Sequence, residues 1–292
     1  MSIKKAIIPI AGLGTRFLPL SKVLTKEFWP LADSPVIEYI VREAVDAGAK
    51  RITFVVRPGD RKILNYFKKN IWLERNLKQR KKKDSLKTLA DLEKISKKIS
   101  FSFATQKNAL GDGHAVLQAR KLIKNQACFV LFGDDVVYSE TSCAKQLSQV
   151  YNKYQKPVIA LCQLPKEKLG SYGIVKVKKI GPRLFQIKDI VEKPEPGKAP
   201  SNLAIVGKYV INSDVFNLLE KSPCQAKGEI RLAGAFKEMI KNNLPVYGYQ
   251  FKGKWLECGN KTTYLKSNFY ISLKHAQFSK ELKKMIKQEK LI

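Results

Sequence analysis

The chain has 292 residues and a formal net charge of +30, from 55 lysines and arginines against 25 aspartates and glutamates. A hydrophobic content of 44% supports a substantial core. No run of ~18 apolar residues exists to span a membrane, and the first residues enter a strand without a signal-peptide core, so cytoplasm is the expected location.

Residues 5–11 read as a buried strand that runs into Gly12-Leu13-Gly14-Thr15-Arg16. Glycine lets a backbone approach a ligand closely and adopt positive φ. Backbone N–H groups of such a loop cradle phosphates. Arg16, and Lys26 in the Lys26-Glu27-Phe28-Trp29-Pro30-Leu31 stretch, would add charge-assisted contacts to the same anion. The third glycine of a dinucleotide G-x-G-x-x-G is missing, as is the Gly-Lys-Ser/Thr end of a P-loop. A Gly-x-Gly after a strand is also a common turn.

Val36, Ile37, Ile40, Val41, Ala44 and Val45 recur at helical spacing over 35–47, and Gly48 stops the helix. Arg51–Val56 is a second apolar strand, and strand–helix–strand of this kind argues a parallel sheet with crossover helices. Residues 60–98 are lysine-rich and helical in pattern, a surface excursion. Phe101–Thr105 is a strand, and Gly111-Asp112-Gly113-His114 opens a helix through Ile123. The apolar strand 128–132 ends in Gly133-Asp134-Asp135, followed by a helix at 141–154 and a strand at 158–162.

From about residue 165 the pattern changes. Stretches 172–177 and 184–191 flank Gly181-Pro182 as a hairpin. A Pro-rich loop at 194–200 precedes the strand 203–211, and Ser213 is placed to cap the helix of Val215–Leu219. Helix 229–241, strand 245–251, a turn at Gly253 and helix 261–274 follow. The fold expectation is α/β, a doubly wound, Rossmann-like mixed sheet with a smaller sheet extension. Ligands of such sheets sit at the C-terminal strand ends, where the glycine loops and Gly133-Asp134-Asp135 fall.

The charge would draw nucleotides, pyrophosphate or nucleic acid. It concentrates at 78–83 and at Lys280, Lys283, Lys284, Lys287 and Lys290, in segments that read as solvated faces without a nucleic-acid-binding module. Two histidines and five scattered cysteines, none in a C-x-x-C pair, argue against a zinc site or a disulfide framework. Most of Cys128, Cys143, Cys162, Cys224 and Cys258 are expected to be small buried hydrophobes.

Gly133-Asp134-Asp135 places hard oxygen ligands where a sheet opens to solvent, which suits Mg²⁺ on a triphosphate. The same residues would serve as a turn or helix cap. Glu192-Lys193-Pro194 ends a strand with a carboxylate for sugar hydroxyls and a lysine for a phosphate, although such a tripeptide is common in surface turns. His114 at a helix start is expected to make a structural hydrogen bond rather than act as a base.

The order Gly-Leu-Gly-Thr-Arg, Lys-Glu-x-x-Pro-Leu, Gly-Asp-Gly-His-Ala, Gly-Asp-Asp, Glu-Lys-Pro, the stretch 201–210 and Glu-Cys-Gly-Asn-Lys at 257–261 resembles the bacterial UTP–glucose-1-phosphate uridylyltransferases, also named UDP-glucose pyrophosphorylases, of the sugar nucleotidyltransferase superfamily. The resemblance runs from residue 4 to about 275. It implies one nucleotidyltransferase domain, with a nucleotide-binding half at about 1–165, a sugar-binding half at about 166–260 and a C-terminal helix at about 261–292.

It further implies an Mg²⁺-assisted, in-line transfer of UMP from UTP to glucose 1-phosphate. Ala11, Gly12 and Gly14 would meet the nucleotide through backbone atoms, with Gln106 and Gly111 on base or ribose. Arg16 would bind the leaving phosphates, Lys26 the triphosphate near its α-phosphate, and Lys193 the sugar phosphate. Gly173, Glu192 and Gly207 would line the glucose site. Asp134 would ligate Mg²⁺ with Glu257, which stands where the family has an aspartate. The resemblance implies a homodimer or tetramer; the composition argues against a membrane partner, and the lack of a nucleic-acid-binding module weighs against a nucleic-acid partner.

Thr25 replaces a proline before Lys26, which predicts a less rigid loop. Arg231, Ala233 and Gly234 depart from the family's Gly-Glu-Ile-Gln-Leu-Thr-Asp. These departures leave other readings open: a relative using another nucleotide or sugar 1-phosphate, or a weakly active paralogue that binds UDP-sugar and regulates a partner.

Overall fold

The computed structural model describes residues 2–222 and 228–289; Cys224 and Lys290 lie outside them. The strands are β1 Lys5–Pro9, β2 Pro30–Leu31, β3 Ser34–Pro35, β4 Arg51–Val56, β5 Ser100–Thr105, β6 Cys128–Leu131, β7 Asp135–Tyr138, β8 Val158–Gln163, β9 Gly173–Gly181, β10 Leu184–Glu192, β11 Leu203–Ile211, β12 Tyr247–Gln250 and β13 Lys254–Glu257. The helices are α1 Val36–Asp46, α2 Lys62–Phe67, α3 Ile71–Gln79, α4 Lys83–Lys98, α5 Asp112–Gln118, α6 Arg120–Ile123, α7 Cys143–Tyr154, α8 Ser213–Lys221, α9 Leu232–Lys241, α10 Lys261–Lys274 and α11 Ser279–Gln288.

Nine strands form one sheet in the order β5-β4-β1-β6-β11-β8-β12-β10-β9. β5, β4, β1 and β6 run parallel, and β11 lies antiparallel between β6 and β8. Successive residues of a strand point to opposite faces, and both faces are covered. Ile8, Phe54 and Phe129 pack with α1 and α7, whereas Ile7, Val55 and Val130 pack with α5, α8 and α9. Strands buried on both sides must be apolar throughout, which is why β1, β4 and β6 read as continuous runs. This is the doubly wound mixed sheet expected. The hairpin β9–β10 adds the extension, with Glu192 opposite Gly173.

Some elements differ from expectation. The helix over 111–123 is divided at Ala119 into α5 and α6. Ser213 is the first residue of α8, and Asn212 before it makes no side-chain cap. The helix placed at 229–241 begins only at Leu232. There, tertiary contact overrides propensity: the Ile230 N–H donates to Leu110 O at 2.7 Å and Ile230 O accepts from the His114 N–H at 3.2 Å. β7 and β13, unexpected from sequence, pair antiparallel and bring Asp135 opposite Glu257.

The loop after β1 is held down by α10. Phe17, Trp29 and Tyr264 stack edge to face at 4.4 and 5.1 Å. Tyr264 donates to Pro30 O, and Lys261 Nζ to Leu18 O at 2.8 Å. Thr25 takes φ −62 and ψ 146, the backbone that proline would impose, so its replacement of proline leaves the turn into Lys26 in place.

Below the strand ends lies a group of buried charges. Lys208 of β11 is fully buried, with Nζ 2.6 Å from Glu43 Oε2 of α1, and Glu43 Oε1 accepts from the Ala144 N–H of α7 at 2.9 Å. Asp135 accepts from the Gly207 N–H at 3.1 Å and from Trp255 Nε1 at 2.8 Å. A Cβ at Gly207 would lie 2.3 Å from Asp135 Oδ2, so glycine is required for this approach. Burial pushes Asp135 up to about 7, helped by the neighbouring Asp134 charge and opposed by Lys208. Burial likewise raises Glu27 to about 7, opposed by Lys26 and helped by Asp134.

Replacing Glu43 by Gln leaves a buried ammonium without its counter-charge, and urea unfolding is expected to show a loss of about 3–5 kcal/mol. The Glu43→Leu/Lys208→Met double variant should lose less than that. Glu27 and Asp135 hold protons more tightly folded than unfolded, so their stabilisation is complete below about pH 4 and is lost as pH rises through 7. Glu27→Gln should remove roughly 2–3 kcal/mol of the fall between about pH 5 and pH 8, leaving the share due to Asp135. Urea midpoints of both proteins at the two pH values measure it.

Candidate active site

Two of the cavities at the C-terminal strand ends hold expected site residues. One, of about 300 Å³, is lined by Arg16, Asp134, Glu192, Lys193 and Glu257 among others. Gly173 and Gly207 also line it. The other, of about 440 Å³, is lined by Ala11, Gln106, Arg57, Lys62 and Lys107. The expected sugar and metal residues therefore share one space, and two of the expected nucleotide residues share another. Gly12, Gly14, Gly111 and Lys26 line neither. Gly14, at φ +64, turns the chain into the short 3-10 turn that carries Arg16.

Lys26 pairs directly with Asp134. Burial alone would lower the Lys26 ammonium, but the charges of Asp134 and Glu27 outweigh it and hold it well above the ordinary lysine range. For Asp134, burial works upward and the Lys26 ion pair and hydrogen bond work downward; the pair wins and keeps the carboxylate ionised. The floor thus presents a fixed cation and a fixed anion at the end of β6.

The β7–β13 ribbon brings a second carboxylate alongside. Cys258 N–H donates to Asp134 O at 2.8 Å. Glu257 Oε2 accepts from the Tyr172 hydroxyl at 2.7 Å, and burial together with that carboxylate drives the phenol far above its usual range. A Cβ at Gly259 would lie 3.1 Å from Asp134 Oδ2 and 3.6 Å from Glu257 Oε1, so bare glycine leaves open the space both oxygens face. Among the described residues no group of three or more His, Cys, Asp or Glu side chains could hold a metal. Two carboxylates beside an anion site fit a hard cation that takes its remaining oxygens from water and phosphate, as Mg²⁺ does.

At the far end of the same cleft, β10 closes on Glu192 and Lys193. Lys193 sits at φ +47, a left-handed backbone that costs a non-glycine residue about 1–2 kcal/mol. Its N–H donates to Tyr172 O at 3.0 Å, fixing the turn that throws its side chain into the cleft.

His114 lies between Gln106 (Nδ1, 3.0 Å) and Gln118 (Nε2, 3.1 Å), a structural setting as expected. Gln106 Nε2 also donates to Gly111 O at 3.1 Å. Gly111, at φ +100, lies so close to Ile230 that a Cβ would come within 2.5 Å of its carbonyl oxygen. It shapes the loop through packing.

Sequence reasoning did not assign Asp135, Tyr172, Arg231 or Trp255, all of which line the cleft. Asp135 and Tyr172 adjoin assigned residues, and that adjacency was the available signal. Trp255 stands two residues before Glu257, on the same side of β13. Arg231 had no signal beyond its place in a departing motif.

A model of the nucleotidyl transferase family matches residues 5–272. The UTP–glucose-1-phosphate uridylyltransferase 1 of Staphylococcus saprophyticus is 40% identical over 287 residues, covering 98% of this chain and 99% of that one. A solved UTP-bound UGPase from Acinetobacter baumannii has a TM-score of 0.89 at 38% identity, over 97% of this chain and 98% of that one. A UDP-glucose pyrophosphorylase complexed with UDP-glucose has a TM-score of 0.86 at 33% identity, over 94% of this chain and 100% of that one. Likeness in sequence and fold over almost the whole length places this chain in the nucleotidyl transferase family, among the bacterial UTP–glucose-1-phosphate uridylyltransferases.

Proposed function

We propose that the protein transfers UMP from UTP to glucose 1-phosphate, giving UDP-glucose and pyrophosphate. The carrying observation is the single cleft that gathers Arg16, Asp134, Glu192, Lys193 and Glu257 at the strand ends.

A phosphate oxygen of glucose 1-phosphate attacks the α-phosphorus of UTP, the α–β phosphoanhydride bond breaks, and pyrophosphate leaves with the electron pair. The attacking oxygen is already ionised, so no general base is needed, and His114 has no part in the step. What remains for the protein is to hold two mutually repelling anions in line and to stabilise the developing charge.

Ala11, Gln106 and the backbone of Gly12, Gly14 and Gly111 bind the uridine end. Arg16 holds the departing phosphates. Lys26, fixed beside Asp134, is the cation nearest the α-phosphate. Lys193 holds the sugar phosphate as it attacks, and Gly173, Glu192 and Gly207 receive the glucose ring. Asp134 and Glu257 would hold Mg²⁺, which would offset the triphosphate charge and polarise the α-phosphate.

A cytoplasmic site of action fits these substrates, and no helix among the described residues is long and apolar enough to cross a membrane. A homodimer or tetramer fits the exposed Leu265 and Phe269 on α10.

Pyrophosphate release from UTP plus glucose 1-phosphate, with dTTP in parallel, tests the reading. Release with UTP and Mg²⁺, abolished by chelator and restored by Mg²⁺, is expected; release with dTTP alone would keep the chemistry and move the specificity. Lys193→Ala and Asp134→Asn should each lower turnover about 10²-fold or more. Near-parental turnover in both would remove these residues from the mechanism.

A further inference from the structure

Arg231 precedes α9 and lines the sugar end of the cleft. Its guanidinium is anchored on one side: Nε and Nη2 both donate to Glu229 Oε2, at 2.8 and 2.6 Å. Its free edge faces Glu192, with Nη1 3.7 Å from Oε1. The other oxygen of Glu192 lies over Gly173, 3.0 Å from where a Cβ would be. The Glu192 carboxylate is therefore bounded by a bare glycine and by a guanidinium whose own position is fixed.

The backbone behind Arg231 is equally fixed. Asp112 Oδ1 accepts from the Leu232 N–H at 2.9 Å, tying the start of α9 to the start of α5. Ile230 is bonded to Leu110 and His114 on the same side. Arg231 thus projects from a braced segment. That matters because a guanidinium fork held by one carboxylate loses little further freedom when it orients a second.

We infer that Arg231, braced by Glu229, is a positioning residue that aims the Glu192 carboxylate at the hydroxyls of a neutral hexose 1-phosphate. The inference rests on the reading of Glu192 as the sugar acceptor. At 3.7 Å the contact with Glu192 is an ion pair rather than a hydrogen bond, and while solvated it contributes little to stability. A bound hexose displaces water from the cleft, and the pairing strengthens as the local dielectric falls. Its effect belongs to sugar binding, which separates it from a merely structural bridge.

The test is steady-state pyrophosphate release by the full chain, with KM for glucose 1-phosphate and for UTP measured separately. Arg231→Gln should raise KM for glucose 1-phosphate about tenfold, with KM for UTP within about twofold. Arg231→Lys, which keeps charge but not the fork, should recover part of that loss. Glu229→Gln should move KM in the same direction by less. It also carries the test should Arg231→Gln fail to fold, which its melting temperature reports.

Glu192→Gln should raise the same KM, and the Arg231→Gln/Glu192→Gln double variant should be no worse than the worse single one. Additive losses would mean that Arg231 acts independently of Glu192, and would overturn the inference. An unchanged KM for glucose 1-phosphate in Arg231→Gln, or equal rises in both KM values, would overturn it as well. An unchanged KM in Glu192→Gln would instead overturn the sugar-site reading, and the inference with it.

Discussion

The cleft depends on one ion pair that no substrate reaches. Lys208 lies in the central strand of the sheet with no solvent contact, and its ion-pair partner among the described residues is Glu43 of α1. Glu43 in turn holds the start of α7 through the Ala144 N–H. The central strand and the two helices on one of its faces are thereby pinned at one point. A buried charge without its partner is strongly unfavourable, so α1, β11 and α7 are not free to shift singly. Beside that point, Gly207 donates to Asp135, and Asp135 holds Trp255. The register of β11 against β8 is irregular between Ile205 and Tyr209, a distortion of the kind found beside active sites. Rigidity at Lys208 therefore reaches the cleft floor through two hydrogen bonds.

Above this floor the electrostatics divide neatly between neighbours. Asp134 and Asp135 are adjacent in sequence, yet their carboxyls are driven in opposite directions. Lys26 faces Asp134 and keeps it ionised. Asp135 turns to an indole and a backbone amide, where burial and the charge of Asp134 favour its proton. One acid is available to a cation, and the other serves as an internal clamp. Such division keeps ionised charge at the cleft surface, where an anionic substrate will meet it.

Legibility in the sequence followed how local each signal was. β1, α1, β4, β6 and β11 announced themselves because strands and helices buried in a doubly wound sheet must be apolar with the right period. Arg16, Asp134 and Lys193 stood out because each lies beyond a strand end beside a glycine or proline turn, and the family resemblance supplied the expected roles for them and for Lys26 and Glu192. The β7–β13 ribbon was not legible. Each of its strands has four residues, and they pair across more than a hundred positions, so neither carries a local pattern strong enough to mark it. The partners delivered by that ribbon and the cleft wall, Trp255, Tyr172 and Arg231, were missed for the same reason. The start of α9 was misplaced because Glu229–Arg231 is committed to the loop around Gly111, a contact with no local trace.

The position of β11 between β6 and β8 has a consequence for how the molecule is made. A ribosome releases β1 to β8 first, and in that order the nascent chain holds two apolar strands whose inner edges have no partner. The gap closes only after Ile211 has emerged, by insertion of a strand antiparallel to both neighbours. Until then the N-terminal segment cannot finish its own sheet, and its open edges are the kind that pair with other chains. The centre of the sheet is completed late, and a chain truncated before β11 would leave β6 with β1 as its one partner and β8 with none.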